Sequence, residues 1–128
     1  GQPGPGIKYR AEDKQNFTLM LRTLRCRLDE LSAERHRSGG DRYTISIASS
    51  AGHYFQTTEM DKLHAYLDWI NVMSYDFYTD SEKVTGHHTA LYARRSLGPR
   101  LLPSTDDFVR QHLAAGIPPE KIVVGAAF

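Results

Sequence analysis

Cysteine is nearly absent: Cys26 is the only one in the chain, so neither an internal disulfide framework nor a thiolate zinc site can be built within it. Arg25 and Arg27 flank it, but no His or Asn follows at a spacing that suggests a nucleophile, and an inert thiol on a helix face is expected. Long apolar runs are also missing. None approaches the roughly 20 residues a bilayer-spanning helix needs, so no membrane partner is expected. The opening Gly1-Gln2-Pro3-Gly4-Pro5-Gly6 lacks the apolar core of a signal peptide, although a secreted protein whose signal lay upstream would read the same. Neither sign of charge dominates. The formal net charge is +1 and there is no basic stripe, which argues against nucleic acid as a partner. The arginines between Arg22 and Arg37 alternate with Asp29, Glu30 and Glu34, as on the solvated face of a helix.

What is present alternates between helical and extended patterns. Phe17, Met20, Leu21, Leu24, Leu28 and Leu31 recur at intervals of three and four, predicting one amphipathic helix from about Ala11 to Arg35, ended by Ser38-Gly39-Gly40. Tyr43 to Ala48 alternates bulky with small residues. This predicts a strand whose large side chains meet helices while Thr44, Ser46 and Ala48 face a tighter space, as inside a barrel. Thr58-x-x-Asp61 reads as a capping box opening a short helix through Met60, Leu63 and Leu67. Trp69 to Asp76 is a second strand. A long polar connection follows to Pro103, and loops of that length are usually functional. Ser104-Thr105-Asp106-Asp107 caps a helix closed by Gly116, and Ile122 to Ala127 is a third strand.

The order helix-strand-helix-strand-helix-strand makes two right-handed crossovers and three adjacent parallel strands. Parallel sheets need cover and protected edges. Here both outer strands would be bare, the last has no following helix, and a complete (β/α)8 barrel needs roughly 250 residues. The expected fold class is therefore α/β, a partial (β/α)8 TIM barrel, with residues 1–128 forming an incomplete barrel domain of about half the full size.

The most telling segment is Trp69-Ile70-Asn71-Val72-Met73-Ser74-Tyr75-Asp76-Phe77, a buried-strand pattern that ends in a phenol and a carboxylate. In parallel α/β sheets the carboxyl ends of the strands are where ligands bind. Taken alone, Tyr75 could be an ordinary strand aromatic, Asp76 a loop opener and Met73 core filler. The segment resembles the Met-x-Tyr-Asp strand of family 18 glycoside hydrolases, the chitinases and their relatives. Gly86-His87-His88-Thr89-Ala90-Leu91-Tyr92 likewise resembles that family's loop after the sixth strand, departing from it where a Pro is common. The likeness runs from just after the fourth barrel strand through the seventh.

That resemblance implies an enzyme cleaving β-1,4-linked N-acetylglucosamine polymers, with chitin or its oligosaccharides as partner, no cofactor, and a secreted or extracellular setting. The family is a substrate-assisted exception among glycosidases. The resemblance implies that Tyr75 donates its hydroxyl to the substrate's acetamido oxygen, Asp76 binds the distorted sugar, and Met73 lines the pocket floor. The family's Asp-x-x-Asp-x-Asp-x-Glu does not occur in residues 1–128, so no glutamate here inherits the general-acid role. This chain alone is expected to be inactive. His87-His88 is not expected to bind metal, because adjacent residues seldom point at one ion and no carboxylate lies at ligand spacing. Two other readings stay open: a non-catalytic chitin-binding lectin of the same fold, and a small flavodoxin-like protein with Ser49-Ser50-Ala51-Gly52 as a weak phosphate loop.

Overall fold

A computed structural model of the chain describes residues 5–80, 83, 85–93 and 103–128. The first four residues of the expected opening loop, and positions 81–82, 84 and 94–102 of the long connection, lie outside the described residues. The elements are α1 (Asp13–Glu34), β1 (Ser46–Ser49), α2 (His53–Thr57), α3 (Met60–Leu63) running into a 3-10 turn (His64–Tyr66), β2 (Trp69–Val72), α4 (Thr105–Ala114), a second 3-10 turn (Pro119–Lys121) and β3 (Ile122–Val124).

The three strands form one sheet in the order β1-β2-β3. Both pairings are parallel, with Ile47 beside Ile70 and Asn71 beside Val123. Side chains alternate across a strand, and β2 shows the consequence. Ile70 and Val72 are 0% and 1% exposed and belong to a cluster with Leu21, Met60, Leu63, Leu67 and Ile117, from α1, α3 and the segments flanking β2 and β3. Burying each aliphatic side chain contributes about 1.5–3 kcal/mol. The opposite face, carrying Asn71, Met73 and Val123, is without helices among the described residues, and Met73 and Val123 are exposed. Helices on one face only are the arrangement of a barrel segment, not of a doubly wound sheet.

The strands are shorter than the residue patterns predict. After Val72 the ladder closes with Met73 N–H donating to the Ser49 carbonyl at 2.8 Å and Gly125 N–H to the Val72 carbonyl at 2.8 Å. Ser74 N–H turns back onto the Val72 carbonyl at 3.0 Å, so Tyr75 and Asp76 stand just beyond the regular strand.

Helix α1 spans the expected residues, and Phe17 and Leu21 of the expected stripe pack in the core, but the seam is displaced at other positions. Met20 and Leu24 are exposed, while Thr18, Leu21 and Ser32 are buried. The Ser32 hydroxyl donates to the Leu28 carbonyl and accepts from Tyr43 N–H, so a polar side chain is satisfied inside the seam. Arg25 also departs from the solvated-face reading. Its side chain is 12% exposed and pairs with Asp68 at 3.1 Å. The helix stops at Glu34, ahead of the two glycines, through His36 in the left-handed region at φ 54°. The expected capping box at Thr58 does not form: its hydroxyl donates to the Tyr54 carbonyl at 2.6 Å, and Glu59, not Thr58, precedes α3. By contrast, Ser104 caps α4 as expected, accepting from Asp107 N–H, and Gly116 follows the helix at φ 82°.

Candidate active site

The site is built at the carboxyl end of β2, where the chain leaves the sheet. Ser74 is fully buried, its hydroxyl donating to the Gly125 carbonyl at 2.7 Å, which ties the end of β2 to the end of β3. Alternation then carries Met73 and Tyr75 to the face without helices. Met73 is 36% exposed and Tyr75 half-buried. The Tyr75 ring lies directly over Gly125: a Cβ on that glycine would sit 2.9 Å from Tyr75 Cε1 and 2.7 Å from the Val72 carbonyl oxygen. Gly125 is thus the platform that lets the phenol lie down at the strand end. Sequence reading took it only as a strand residue.

Asp76 takes a left-handed backbone at φ 60°, uncommon for any residue but glycine, with Asp and Asn the usual exceptions. Its carboxylate projects into solvent, 63% exposed, with Oδ1 3.4 Å from His88 Nε2. Phe77 then dives back into the core, 9% exposed, its ring 5.0 Å from that of Phe108 on α4. The strand-end pair is therefore flanked by two buried anchors, Ser74 and Phe77, and Tyr75 and Asp76 stand between them. His87 to Tyr92 line an open pocket beside this turn. The carboxylate that approaches His88 comes from Asp76, remote in sequence, which the search for local ligand spacing missed. Among the described residues no group of three or more His, Cys, Asp or Glu side chains is placed to hold a metal ion.

A Ser–His contact lies behind the sheet. Ser49, the last residue of β1, and His112 on α4 are both fully buried, with Oγ 2.8 Å from Nε2. His112 Nδ1 lies 2.7 Å from the Phe108 carbonyl, so the proton sits there and Nε2 accepts from the serine. Burial pushes the His112 pKa below its ordinary value, despite that backbone hydrogen bond. No substrate reaches a pair with no exposed surface, and the contact fastens α4 to β1.

The family model for glycosyl hydrolases family 18 matches residues 3–128. Chitinase A1 of Niallia circulans is 36% identical over 129 residues, covering 96% of this chain and 18% of the relative. Among solved structures, a family 18 N-acetylglucosaminidase from Paenibacillus barengoltzii superposes with a TM-score of 0.85 at 41% identity, over 96% of this chain and 35% of that one. Chitinase ChiW from Paenibacillus sp. FPU-7 gives 0.84 at 38% identity, over 95% of this chain and 10% of that one. The chain thus spans well under half the length of each relative, and its sheet corresponds to a segment of their barrels.

Proposed function

Because the chain belongs to the family 18 glycosyl hydrolases, we propose that it is part of the (β/α)8 catalytic domain of a chitinase-like enzyme. That enzyme cleaves β-1,4-linked N-acetylglucosamine polymers by substrate-assisted, retaining hydrolysis. Residues 1–128 are then an incomplete part of the domain, about half by the size of an ordinary barrel. One observation carries the reading: Tyr75 and an exposed Asp76 carboxylate emerge together at the carboxyl end of the middle strand, the phenol on the face without helices. The names of the relatives, a chitinase and an N-acetylglucosaminidase, support the substrate class. ChiW is described as cell-surface-expressed, which supports an extracellular setting.

In this reading the substrate's own acetamido oxygen attacks the anomeric carbon. It forms an oxazolinium intermediate while a glutamate outside residues 1–128 protonates the leaving oxygen; water then opens the ring with retained configuration. Holding the acetamido group in line is a problem of proximity and orientation. The Tyr75 hydroxyl donates to the acetamido oxygen, Asp76 binds the distorted sugar at the scissile bond, and Met73 lies under the acetyl methyl.

The isolated 128-residue polypeptide does not turn over chitin oligomers in this reading, since general-acid catalysis alone is worth roughly 10²–10⁴ in rate. The test compares three proteins on a fluorogenic N-acetylglucosamine dimer: the isolated chain, the full-length protein that carries it, and its Asp76→Ala variant. Turnover is expected from the full-length protein only, with Asp76→Ala reduced at least about 10²-fold through lost positioning. Equal turnover by the isolated chain, or an unimpaired Asp76→Ala protein, would overturn the assignment.

A further inference from the structure

We infer that His88 is a positioning residue for Asp76, aiming its carboxylate at the bound sugar; the inference rests on the reading of Asp76 as a sugar-binding group. The need for such a residue follows from the turn itself. A non-glycine residue in the left-handed region carries backbone strain, less for Asp than for most, and persists where the surroundings help to hold it. Asp76 lies beyond the last ladder hydrogen bond of β2 and its side chain points into solvent, so the sheet does not fix where the carboxylate points.

The 88–91 segment supplies the missing constraint. The His88 carbonyl accepts from Phe77 N–H at 3.0 Å, and the Thr89 hydroxyl donates to the Ser74 carbonyl at 2.9 Å. The segment is therefore bonded to both buried anchors that bracket Tyr75 and Asp76. On its other side, the Ala90 and Leu91 carbonyls accept from Thr105 and Asp106 N–H at 2.8 and 3.0 Å, in the first turn of α4. A segment held from both sides is a rigid mount. From it the imidazole reaches back to Asp76, with Nε2 3.4 Å from Oδ1. That is a close polar approach without hydrogen-bond geometry, of the kind that tightens when substrate draws a site together. In this proposal the ring faces one carboxylate oxygen and a sugar hydroxyl meets the other. It is also half-exposed, so it does little for the core, and its removal should separate function from stability.

The experiment uses the full-length protein that carries this chain, with N-acetylglucosamine tetramer as substrate. His88→Ala, His88→Phe and His88→Asn are made in the wild type and in Asp76→Asn, and kcat, KM, tetramer binding and melting temperature are measured. His88→Ala and His88→Phe are expected to lower kcat by up to about 10²-fold, the scale of a small misplacement, with the melting temperature unmoved. His88→Asn keeps an N–H donor and recovers most of the loss. In the Asp76→Asn background the alanine and phenylalanine changes have no further effect, because residues acting through one another are non-additive. If alanine loosens the loop, phenylalanine retains the ring's bulk without a donor and carries the test. An equal loss in both backgrounds, failure of His88→Asn to recover activity, or unchanged kcat in His88→Ala and His88→Phe overturns the inference alone, provided Asp76→Asn is impaired. A wild type that neither binds nor cleaves the tetramer, or an Asp76→Asn protein at wild-type rate, overturns the reading of Asp76 and this inference with it.

Discussion

Asp68 and Asp76 stand at opposite ends of β2 and are the same residue in opposite surroundings. The Asp68 side chain is 10% exposed. It accepts from Arg25 at 3.1 Å, from Ile45 N–H at 2.7 Å and from Arg42, so its acceptor capacity is taken up by the protein. Asp76 is 63% exposed, with His88 Nε2 3.4 Å from its Oδ1. A carboxylate that holds a fold together has its lone pairs filled from within, whereas one that binds substrate must keep some for the ligand. The same division is known from complete barrels, whose amino-terminal ends serve stability and whose carboxyl ends serve chemistry.

The largest effect should come from Asp68. Asp68→Ala removes the buried acceptor of Arg25 and Ile45 N–H, leaving Arg25 only the exposed Asp29 carboxylate and the Tyr43 carbonyl, and is expected to lower the unfolding free energy of the full-length protein by about 3 kcal/mol, measured by denaturant titration. Asp76→Ala in the same titration should cost no more than about 1 kcal/mol, from a left-handed backbone that alanine tolerates less well than aspartate. Equal costs at the two positions would break the comparison.

A smaller effect is expected at Gly125, and it tests the carboxyl end from beneath. The added methyl of Gly125→Ala meets the Val72 carbonyl and the Tyr75 ring. Overpacking of this kind costs about 1–3 kcal/mol, and tilting the phenol should also lower kcat. A fully active, fully stable Gly125→Ala protein would mean Tyr75 does not rest there.

The gentlest test needs no mutation. His112 sits neutral in the core with its pKa depressed by burial from the ordinary 6.5. Above pH 6.5 neither the folded nor the unfolded chain holds that proton, and the group contributes nothing to the pH dependence. Below it the unfolded chain binds the proton first, so stability should fall with pH until the folded histidine also protonates, and then level off. Unfolding titrations between neutral and mildly acid pH check this, and His112→Gln should flatten the slope. A wild-type protein whose stability rises on acidification through that range would contradict the burial of a neutral ring.

The strand order, the long first helix, and the Ser104 and Gly116 ends of α4 were legible because each rests on a local pattern: period, cap or left-handed glycine. The placement of Tyr75 and Asp76 at a strand end was legible for the same reason. What the pattern concealed is what distant segments decide. The α1 seam includes Arg25 and Ser32, because Asp68 and Tyr43 N–H arrive from elsewhere to satisfy them. A hydrophobicity stripe scores such residues as outward-facing and selects Met20 and Leu24 instead. Thr58 had two local partners to choose between, and bonding back to Tyr54 won over capping α3. The short helix His53–Thr57 carries too few apolar repeats to register. The His88 mount and the Gly125 platform are both tertiary, made by segments far from Asp76 and Tyr75 in the sequence.

The left-handed turn at Asp76 also has a consequence in the genetic code. Aspartate and glycine codons differ by a single middle base, and glycine is the residue that adopts this φ without strain. One nucleotide change at this position therefore relaxes the backbone while deleting the carboxylate. A gene drifting without selection on that carboxylate has an easy path through that codon. A mutant library screened for heat tolerance alone would tolerate the same change, keeping the fold while losing the Asp76 carboxylate.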